Sequence, residues 1–256
     1  MSSITVILSY YNQPEMLRAQ LRNWGCYTDH TRKYLKLIVV DDGSQMAPAL
    51  DVMRFTNHIA TFTDWGAELY RIKEDMPWNR GEARNIGAKH AGTPWIMQLD
   101  LDHVLPPTAA EAMVLRQIEF QKQHWYRFRR FRIGAADHTR NKDALARDVR
   151  YGEIKPHIDS YLCTPERYWQ AGGYNEDFSG CLGGGSPFLH FMTQISEPQI
   201  ASHSMYLHVY TSDETKDASA ALDRTPGEYK RRRAELTQAG KLKGHDPFRI
   251  PYERVL

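Results

Sequence analysis

The sequence predicts an α/β fold in which helices cover both faces of a mostly parallel central sheet. Three apolar runs, at residues 4–8, 36–40 and 95–99, are continuous rather than alternating, which is typical of parallel strands buried on both faces. Between the first two runs, residues 14–24 carry apolar side chains at helical spacing. This order of strand, helix and strand predicts a right-handed βαβ unit.

Polar residues follow each predicted strand at its C-terminal end. The three pairs are Ser9 and Tyr11, Asp41 and Asp42, and Asp100 and Asp102. In open α/β sheets, ligands bind at the carboxyl ends of the strands. Residues two apart share a face of a strand, so Asp100 and Asp102 should project together and repel each other unless a cation lies between them. Carboxylate oxygens suit Mg²⁺ or Mn²⁺ carrying a diphosphate, and the alternative is a solvated loop.

Further elements follow from periodicity and from residues that stop helices. The pattern predicts helices at residues 82–91 and 108–123. Residues 137–153 are charge-rich without periodicity, which predicts a long loop. A surface helix carrying the basic run 230–233 should follow, and residues 244–256 should form an irregular tail.

Composition limits the class of protein. The chain has 256 residues, 41% hydrophobic and 25% charged, which is ordinary for one globular core. No apolar run approaches the roughly 18 residues that a membrane span needs, and the N-terminus lacks a secretory signal. Three cysteines without a Cys-x-x-Cys pair fit a reducing compartment. We therefore expect a cytoplasmic protein without a membrane span.

The charge distribution leaves one surface open to two interpretations. A formal net charge of +2 excludes a globally electrostatic nucleic-acid binder. Residues 125–132, however, mix aromatic side chains with arginines. They predict an edge strand with one solvated face, or a strip on which aromatic rings stack on bases and arginines bind phosphates.

Five segments between about residues 4 and 208 resemble glycosyltransferase family 2, whose members have the GT-A fold. They are Val6-Ile-Leu-Ser-Tyr-Tyr-Asn12, Leu37-Ile-Val-Val-Asp-Asp-Gly-Ser44, Asn79-Arg-Gly-Glu-Ala-Arg-Asn-Ile-Gly87, Gln98-Leu-Asp-Leu-Asp102 and Gly172-Gly-Tyr-Asn-Glu-Asp-Phe-Ser-Gly180. The resemblance implies a Rossmann-like, mostly parallel central sheet flanked by helices, with a smaller acceptor-side subregion. It implies metal-dependent transfer of a sugar from a nucleoside-diphosphate sugar, with a UDP-sugar favoured, to a glycan, lipid-linked or other hydroxyl acceptor.

The resemblance also implies roles for particular residues. It places Ser9 and Tyr11 at the base and ribose, and Asp41 on a base ring N–H with Asp42 close by. It places Arg80 and Arg84 at the diphosphate. It assigns Asp102 and Asp100 to a Mn²⁺ or Mg²⁺ ion, with His208 as a third metal ligand. An imide N–H suits a carboxylate, which only accepts hydrogen bonds. The alternative for Asp41 and Asp42 is a structural turn, and for Arg84 a salt bridge to Asp41 or Asp102.

One segment departs from the family pattern. Inverting relatives usually carry an acid pair in the segment that corresponds to residues 180–187, and one of those acids is the general base. This chain has glycines, Ser186 and Pro187 instead. Glu176 and Asp177, just upstream, could replace the base, or the enzyme retains configuration and needs none.

The expected organisation is a nucleotide-sugar-binding half at residues 1–108, an acceptor and catalytic half at 109–212, and a polar extension at 213–256. Two other functions remain open. A nucleotidyltransferase would show a glycine-rich basic loop after its first strand, and residues 9–14 do not form one. A non-catalytic sugar-nucleotide or glycan-binding protein would explain the missing acid pair. A nucleic-acid acceptor is the less favoured alternative for the enzyme.

Overall fold

The computed structural model describes residues 3–55, 59–76, 79–132, 151–181, 185–210 and 226–256. The strands are β1 (Ile4–Tyr10), β2 (Leu35–Asp41), β3 (Glu68–Ile72), β4 (Trp95–Leu99), β5 (His103–Val104), β6 (His124–Arg127), β7 (Arg129–Arg132), β8 (Tyr151–Ile154), β9 (Tyr161–Cys163), β10 (Glu197–Ile200), β11 (Tyr206–Val209) and β12 (Tyr252–Arg254). The α-helices are α1 (Pro14–Gly25), α2 (Asp29–Tyr34), α3 (Ala49–Phe55), α4 (Ile59–Asp64), α5 (Arg80–His90), α6 (Pro107–Leu115), α7 (Pro165–Gln170), α8 (Gly185–Ile195) and α9 (Pro226–Gln238). Short 3₁₀ turns lie at Gln117–Glu119 and Glu176–Phe178.

Two sheets organise the described part of the chain. The larger has eight strands in the order β10-β6-β9-β4-β1-β2-β3-β12, and the smaller has four in the order β5-β11-β7-β8. The central strands β4, β1, β2 and β3 are parallel, whereas β9 and β12 run antiparallel to their neighbours. This architecture confirms the predicted α/β fold with a mostly parallel central sheet.

Helix α5 fixes the geometry of the ligand-binding edge because it packs directly on β1 and β2. Ile38 and Val40 of β2 pack with Ile86 in a buried cluster. A Cβ atom at Gly87 would overlap the side chain of Ile7, so only glycine allows this close approach. The N-terminus of α5 is thereby held beside the C-terminal ends of the strands.

The structure corrects the prediction of an edge strand at residues 125–132. The chain passes from β6 to β7 at the buried Phe128, and these strands belong to different sheets. Strand β6 lies between β10 and β9, and β7 lies between β11 and β8. The imperfect alternation of aromatic and arginine residues marks this crossing, and neither strand is an edge.

Three other boundaries differ from expectation. The helix predicted at residues 108–123 ends at Leu115 and continues as a 3₁₀ turn. Most of the predicted loop, residues 137–150, lies outside the described residues, but its last residues belong to β8. The predicted irregular tail contains β12, which extends the large sheet by pairing with β3. Among the described helices, none is long and apolar enough to cross a membrane. The division at residues 108 and 212 stays a prediction.

Candidate functional site

Strand alternation separates the adjacent acids Asp41 and Asp42. Val40 faces α5, so Asp42, two positions later, lies on the α5 side of the sheet. Its carboxylate accepts the backbone N–H of Asn79, at the start of α5. Asp41 lies on the other face, where it accepts the N–H of Ser44 at 2.9 Å and of Ala49 at 2.8 Å. The structure therefore uses Asp41 to hold the turn and the start of α3, as the turn interpretation expects.

Two unpartnered polar atoms lie at the predicted nucleotide edge. Among the described residues, Ser9 Oγ and Asp42 Oδ1 are buried without a hydrogen-bond partner. Burial raises the pKa of Asp42 well above its usual range, and the charges of Asp41 and Glu82 add to the rise. Buried polar atoms are rarely left unpaired, so a hydroxyl and a carboxyl oxygen here are suited to a ligand that donates one hydrogen bond and accepts another.

Tyr11 flanks the same edge. Its hydroxyl donates to Asp75 Oδ1 at 3.0 Å. Burial, followed by the hydrogen bond to Asp75, raises the pKa of Tyr11. The half-buried ring is therefore held in place with its hydroxyl toward Asp75 in the loop after β3, and the charge of Asp42 also contributes to the raised pKa.

Two arginines on one face of α5 hold Asp100. Arg80 and Arg84 are four residues apart and therefore lie one helical turn apart on the same side. Both donate to Asp100 Oδ1, Arg80 at 3.2 Å. Burial alone would raise the pKa of Asp100, but Arg84, a hydrogen bond from His157 and Arg80 outweigh it and hold the pKa well below its usual range. Asp100 is thus a fixed carboxylate at neutral pH.

The same arginines connect Asp100 to Asp159, a residue that precedes β9. Arg80 Nη2 donates to Asp159 Oδ2 at 2.9 Å. Arg84 Nη1 donates to the backbone oxygen of Asp159 at 2.8 Å and to the Tyr174 hydroxyl at 2.6 Å. The arginines therefore act as a buried bridge between two carboxylates, with Asp100 in place of the Asp41 or Asp102 partner that the sequence allowed for Arg84.

Asp102 lies outside this bridge and carries uncompensated charge. Burial and the nearby charge of Asp100 raise the pKa of Asp102 to about 6, against the smaller opposing effects of His157 and Arg130. A cation between Asp100 and Asp102 would relieve this repulsion. The chemistry of the donor set therefore fits a hard divalent cation.

Two histidines complete a cluster around Asp100. One ligand atom each from Asp100, His103 and His157 lie within 4.8 Å of one another. The nitrogens of His103 are both engaged, because Nδ1 contacts Ser160 Oγ at 2.6 Å and Arg130 donates to Nε2 at 3.0 Å. Burial lowers the pKa of His103 to about 3, so it is neutral and donates through Nδ1. His157, at 2.9 Å from Asp100 Oδ2, is therefore the better imidazole for a cation.

His208 lies elsewhere. It is fully buried on β11, opposite Val104 of β5, and it does not belong to the cluster of Asp100, His103 and His157. The end of β11 does reach the site, since Tyr210 N donates to the backbone oxygen of Asp102 at 2.8 Å. The role of His208 as a metal ligand stays a prediction that this cluster does not support.

The two acids predicted as substitute bases hold the C-terminal segment. Glu176 accepts hydrogen bonds from the side chain of Asn85 at 2.8 Å and from the N–H of Phe248 at 3.1 Å. Asp177 pairs with Arg249 at 2.6 Å and lies 3.3 Å from His245. These contacts favour an anchoring role over the base role for both acids.

The arginines of residues 125–132 support the segment that enters the site. Arg130 donates to the backbone oxygen of Lys155 at 2.8 and 2.6 Å, and Arg127 donates to that of Pro156 at 2.8 Å. Arg129 pairs with Glu153 at 2.8 Å. The strip therefore holds residues 153–156 in place, immediately before His157.

Sequence patterns missed part of the cluster, namely His157, Asp159, Ser160 and Tyr174. Residues 157–160 precede the strand β9, and their only signal is a short, mostly polar segment before an apolar one. Because β9 is antiparallel to β4, its first residues, rather than its last, meet the ligand edge.

Comparisons with known proteins agree with this geometry. The model of glycosyl transferase family 2 matches residues 5–179, and a comparison with curated proteins found no match. The solved structure of residues 1–349 of TarS from S. aureus is similar with a TM-score of 0.61 and 11% identity, over 93% of this chain and 73% of that one.

Two of the similar structures contain a bound sugar nucleotide. One is the same TarS fragment with UDP-GlcNAc, with a TM-score of 0.60 and 10% identity over 92% of this chain and 71% of that one. The other is the mannosyltransferase PcManGT from Pyrobaculum calidifontis with GDP-Man and Mn²⁺, with a TM-score of 0.54 and 18% identity over 95% of this chain and 65% of that one. These likenesses show the GT-A fold. Since the family model covers more than half of the sequence, the chain belongs to glycosyltransferase family 2.

Proposed function

We propose that the chain transfers a sugar from a nucleoside-diphosphate sugar to an acceptor hydroxyl with the help of Mn²⁺ or Mg²⁺. The observation that carries the proposal is the convergence of three strand ends. They bring the unpartnered oxygens of Ser9 and Asp42, the arginine-held Asp100 and the uncompensated Asp102 to one edge of the sheet. Such an edge offers separate groups for a base, a diphosphate and a cation.

A uracil base suits the first part of the site. Asp42 Oδ1 can accept the imide N–H, and the Ser9 hydroxyl can donate to a neighbouring carbonyl oxygen. A guanine edge also offers an N–H and a carbonyl, and similar proteins have been solved with UDP-GlcNAc and with GDP-Man. We favour UDP because a single buried carboxyl oxygen matches the single ring N–H of uracil. In this assignment Asp42 takes the role predicted for Asp41, and Tyr11 lines the same edge.

Asp102, Asp100 and His157 are the groups that would hold the cation, and PcManGT was solved with Mn²⁺. A divalent cation at this site would neutralise the leaving diphosphate and polarise its oxygens. Arg80 and Arg84 orient Asp100, and Arg80, at the N-terminal end of α5, would add positive charge beside the diphosphate.

Turnover of a panel of sugar nucleotides tests the proposal. UDP- and GDP-linked hexoses and N-acetylhexosamines are incubated with the protein and Mn²⁺, with water as acceptor, and released nucleoside diphosphate is measured. We expect release from at least one donor and its loss in a chelator. The matched control is Asp64→Asn, an exposed acid of α4. Binding of a donor without any release would favour the non-catalytic alternative and refute the proposal.

A further inference from the structure

Two buried amide side chains of α1 lie against the segment 101–105, which contains Asp102. Gln20 and Asn23 are completely buried. The other buried residues of this helix are apolar, namely Met16, Leu17, Ala19, Leu21 and Trp24. Burying an amide in such surroundings is unfavourable unless protein hydrogen bonds replace its bonds to water. The groups that these two amides bind therefore explain why they interrupt an apolar face.

Gln20 binds the backbone on both sides of Asp102. Its Nε2 atom donates to the backbone oxygen of Leu101 at 2.9 Å and to that of His103 at 2.7 Å. An amide nitrogen carries two hydrogens, so one side chain can hold both oxygens. The backbone oxygen between them, that of Asp102, accepts the N–H of Tyr210 at 2.8 Å. Three consecutive carbonyl groups are thus held, and the backbone position of Asp102 is set by α1 and by the end of β11.

The same side of α1 also holds the far end of the segment. Asn23 Nδ2 donates to the backbone oxygen of Leu105 at 2.8 Å, and the Tyr27 hydroxyl donates to the same oxygen at 2.7 Å. Residues 20, 23 and 27 are spaced by three and four positions, which places them on one side of the helix and its C-terminal extension. The helix therefore holds the segment both beside Asp102 and at Leu105.

This backbone support matters for Asp102 because the two arginines hold the neighbouring acid instead. Arg80 and Arg84 donate to the carboxylate of Asp100. Asp102 lies in a turn between β4 and β5, so the position of its carboxylate depends on how firmly that turn is held. A ligand-binding group is most effective when surrounding residues fix it before the ligand arrives.

We propose that Gln20 is a positioning residue for the cation site, an inference that rests on the proposed function. By holding the carbonyl groups of Leu101 and His103, it keeps the turn in the conformation that presents Asp102 to a divalent cation. Gln20 itself contacts neither the cation nor the substrate. Its effect should therefore appear in the affinity for metal rather than in the affinity for the nucleotide.

Replacement of Gln20 by methionine tests this role, because methionine fills a similar volume and cannot donate to the two carbonyl groups. Binding of Mn²⁺ alone is measured by EPR. We expect the Kd of Mn²⁺ to rise by about tenfold, at the lower end of the effect of losing a residue that supports metal ligands. The EPR lines of bound Mn²⁺ should broaden, because a less firmly held turn gives a less uniform ligand geometry. The affinity for UDP in a chelator, measured by calorimetry, should stay unchanged.

Thr5→Val is the matched control for a buried hydrogen bond lost far from the turn. Thr5 Oγ1 donates to the backbone oxygen of Ala91 at 2.9 Å and lies 2.7 Å from Thr93 Oγ1, near the start of β1 rather than at its ligand end. Both Thr5→Val and Gln20→Met should lower the midpoint of urea unfolding. Only Gln20→Met should change the Kd and the EPR lines of Mn²⁺.

A milder variant keeps the test decisive if Gln20→Met does not fold. Gln20→Asn retains the amide, but a side chain shorter by one methylene group cannot keep both distances, so its Kd for Mn²⁺ should lie between those of the wild type and Gln20→Met. A wild-type Kd in the folded Gln20 variants, or an equal rise in Thr5→Val, would overturn the positioning role and leave the proposed function intact. A wild-type protein that binds no Mn²⁺ would instead refute the metal dependence of the proposed function, and the positioning role with it.

Discussion

Replacing Asp102 by asparagine should stabilise the metal-free protein. Burial and Asp100 raise the pKa of Asp102 from 3.8 to about 6. The folded state therefore binds this proton more tightly than the unfolded state does. The stabilisation of the folded state that comes from this proton is fully present below pH 3.8, and it is lost as the pH rises through about 6. At pH 8 the charged carboxylate therefore destabilises the folded state, and Asp102→Asn removes this charge.

The magnitude follows from the size of the shift. Each pKa unit corresponds to about 1.4 kcal/mol, so the shift of Asp102 gives an upper bound of about 3 kcal/mol for the gain at pH 8. The gain should shrink to nothing as the pH falls from about 6 to below 4, because both proteins are then neutral at this position. The side chain is partly exposed, so solvent screening should bring the gain below this upper bound.

Mn²⁺ should reverse the order of stability. It should stabilise the wild type by about 4.1 kcal/mol when present at about one thousand times its Kd, which exceeds the upper bound for the gain of the variant, whereas the variant lacks one of the carboxylates that hold the ion. The assay is urea unfolding at pH 8, 6 and 4 with and without Mn²⁺, with Asp64→Asn as control. No gain in metal-free variant stability at pH 8, or equal stabilisation of both proteins by Mn²⁺, would refute the reasoning.

Two further predictions separate binding from structural roles. Asp42→Asn should weaken binding of nucleoside diphosphate by about 1.5–3 kcal/mol in calorimetry. Asp41→Ala should leave that affinity intact and lower the free energy of unfolding by about 1–2 kcal/mol. Weaker nucleotide binding in Asp41→Ala, with unchanged binding in Asp42→Asn, would identify Asp41 as the acid that contacts the base. Arg130→Gln should lower the free energy of unfolding by about 1–3 kcal/mol because its bonds to Lys155 are lost. Neither the wild type nor this variant should bind DNA at low salt. Salt-sensitive DNA binding by the wild type alone would instead indicate that residues 125–132 bind nucleic acid.

The fold and half of the site could be predicted because their signals are local. A continuous apolar run followed by an acid marks both a buried parallel strand and its ligand end, and this pattern found the junctions at Asp42 and Asp100. Which of two adjacent acids faces the site depends on the face that α5 covers. That face is set by packing of Val40 and Ile86, which the strand pattern alone does not contain.

The other half of the site comes from a strand whose direction the sequence does not show. His157 and Asp159 precede β9, and a polar run before a short apolar segment is typical of an ordinary solvated turn. Only the antiparallel pairing of β9 with β4 brings that run to the ligand edge. The same limit explains Glu176, whose partner Phe248 is 72 residues away and identifies it as an anchor.

The charges of the cluster would leave one acid available for the proposed cation. Arg80 and Arg84 divide their bonds between Asp100 and Asp159, so the charges of these four groups balance one another. Asp102 lies outside that balance, and burial together with the nearby charge of Asp100 raises its pKa. A divalent cation at Asp102 would leave the site with excess positive charge. A bound diphosphate would neutralise this excess. Donor and metal should therefore strengthen each other's binding, and the thermodynamic coupling has to be equal in both directions.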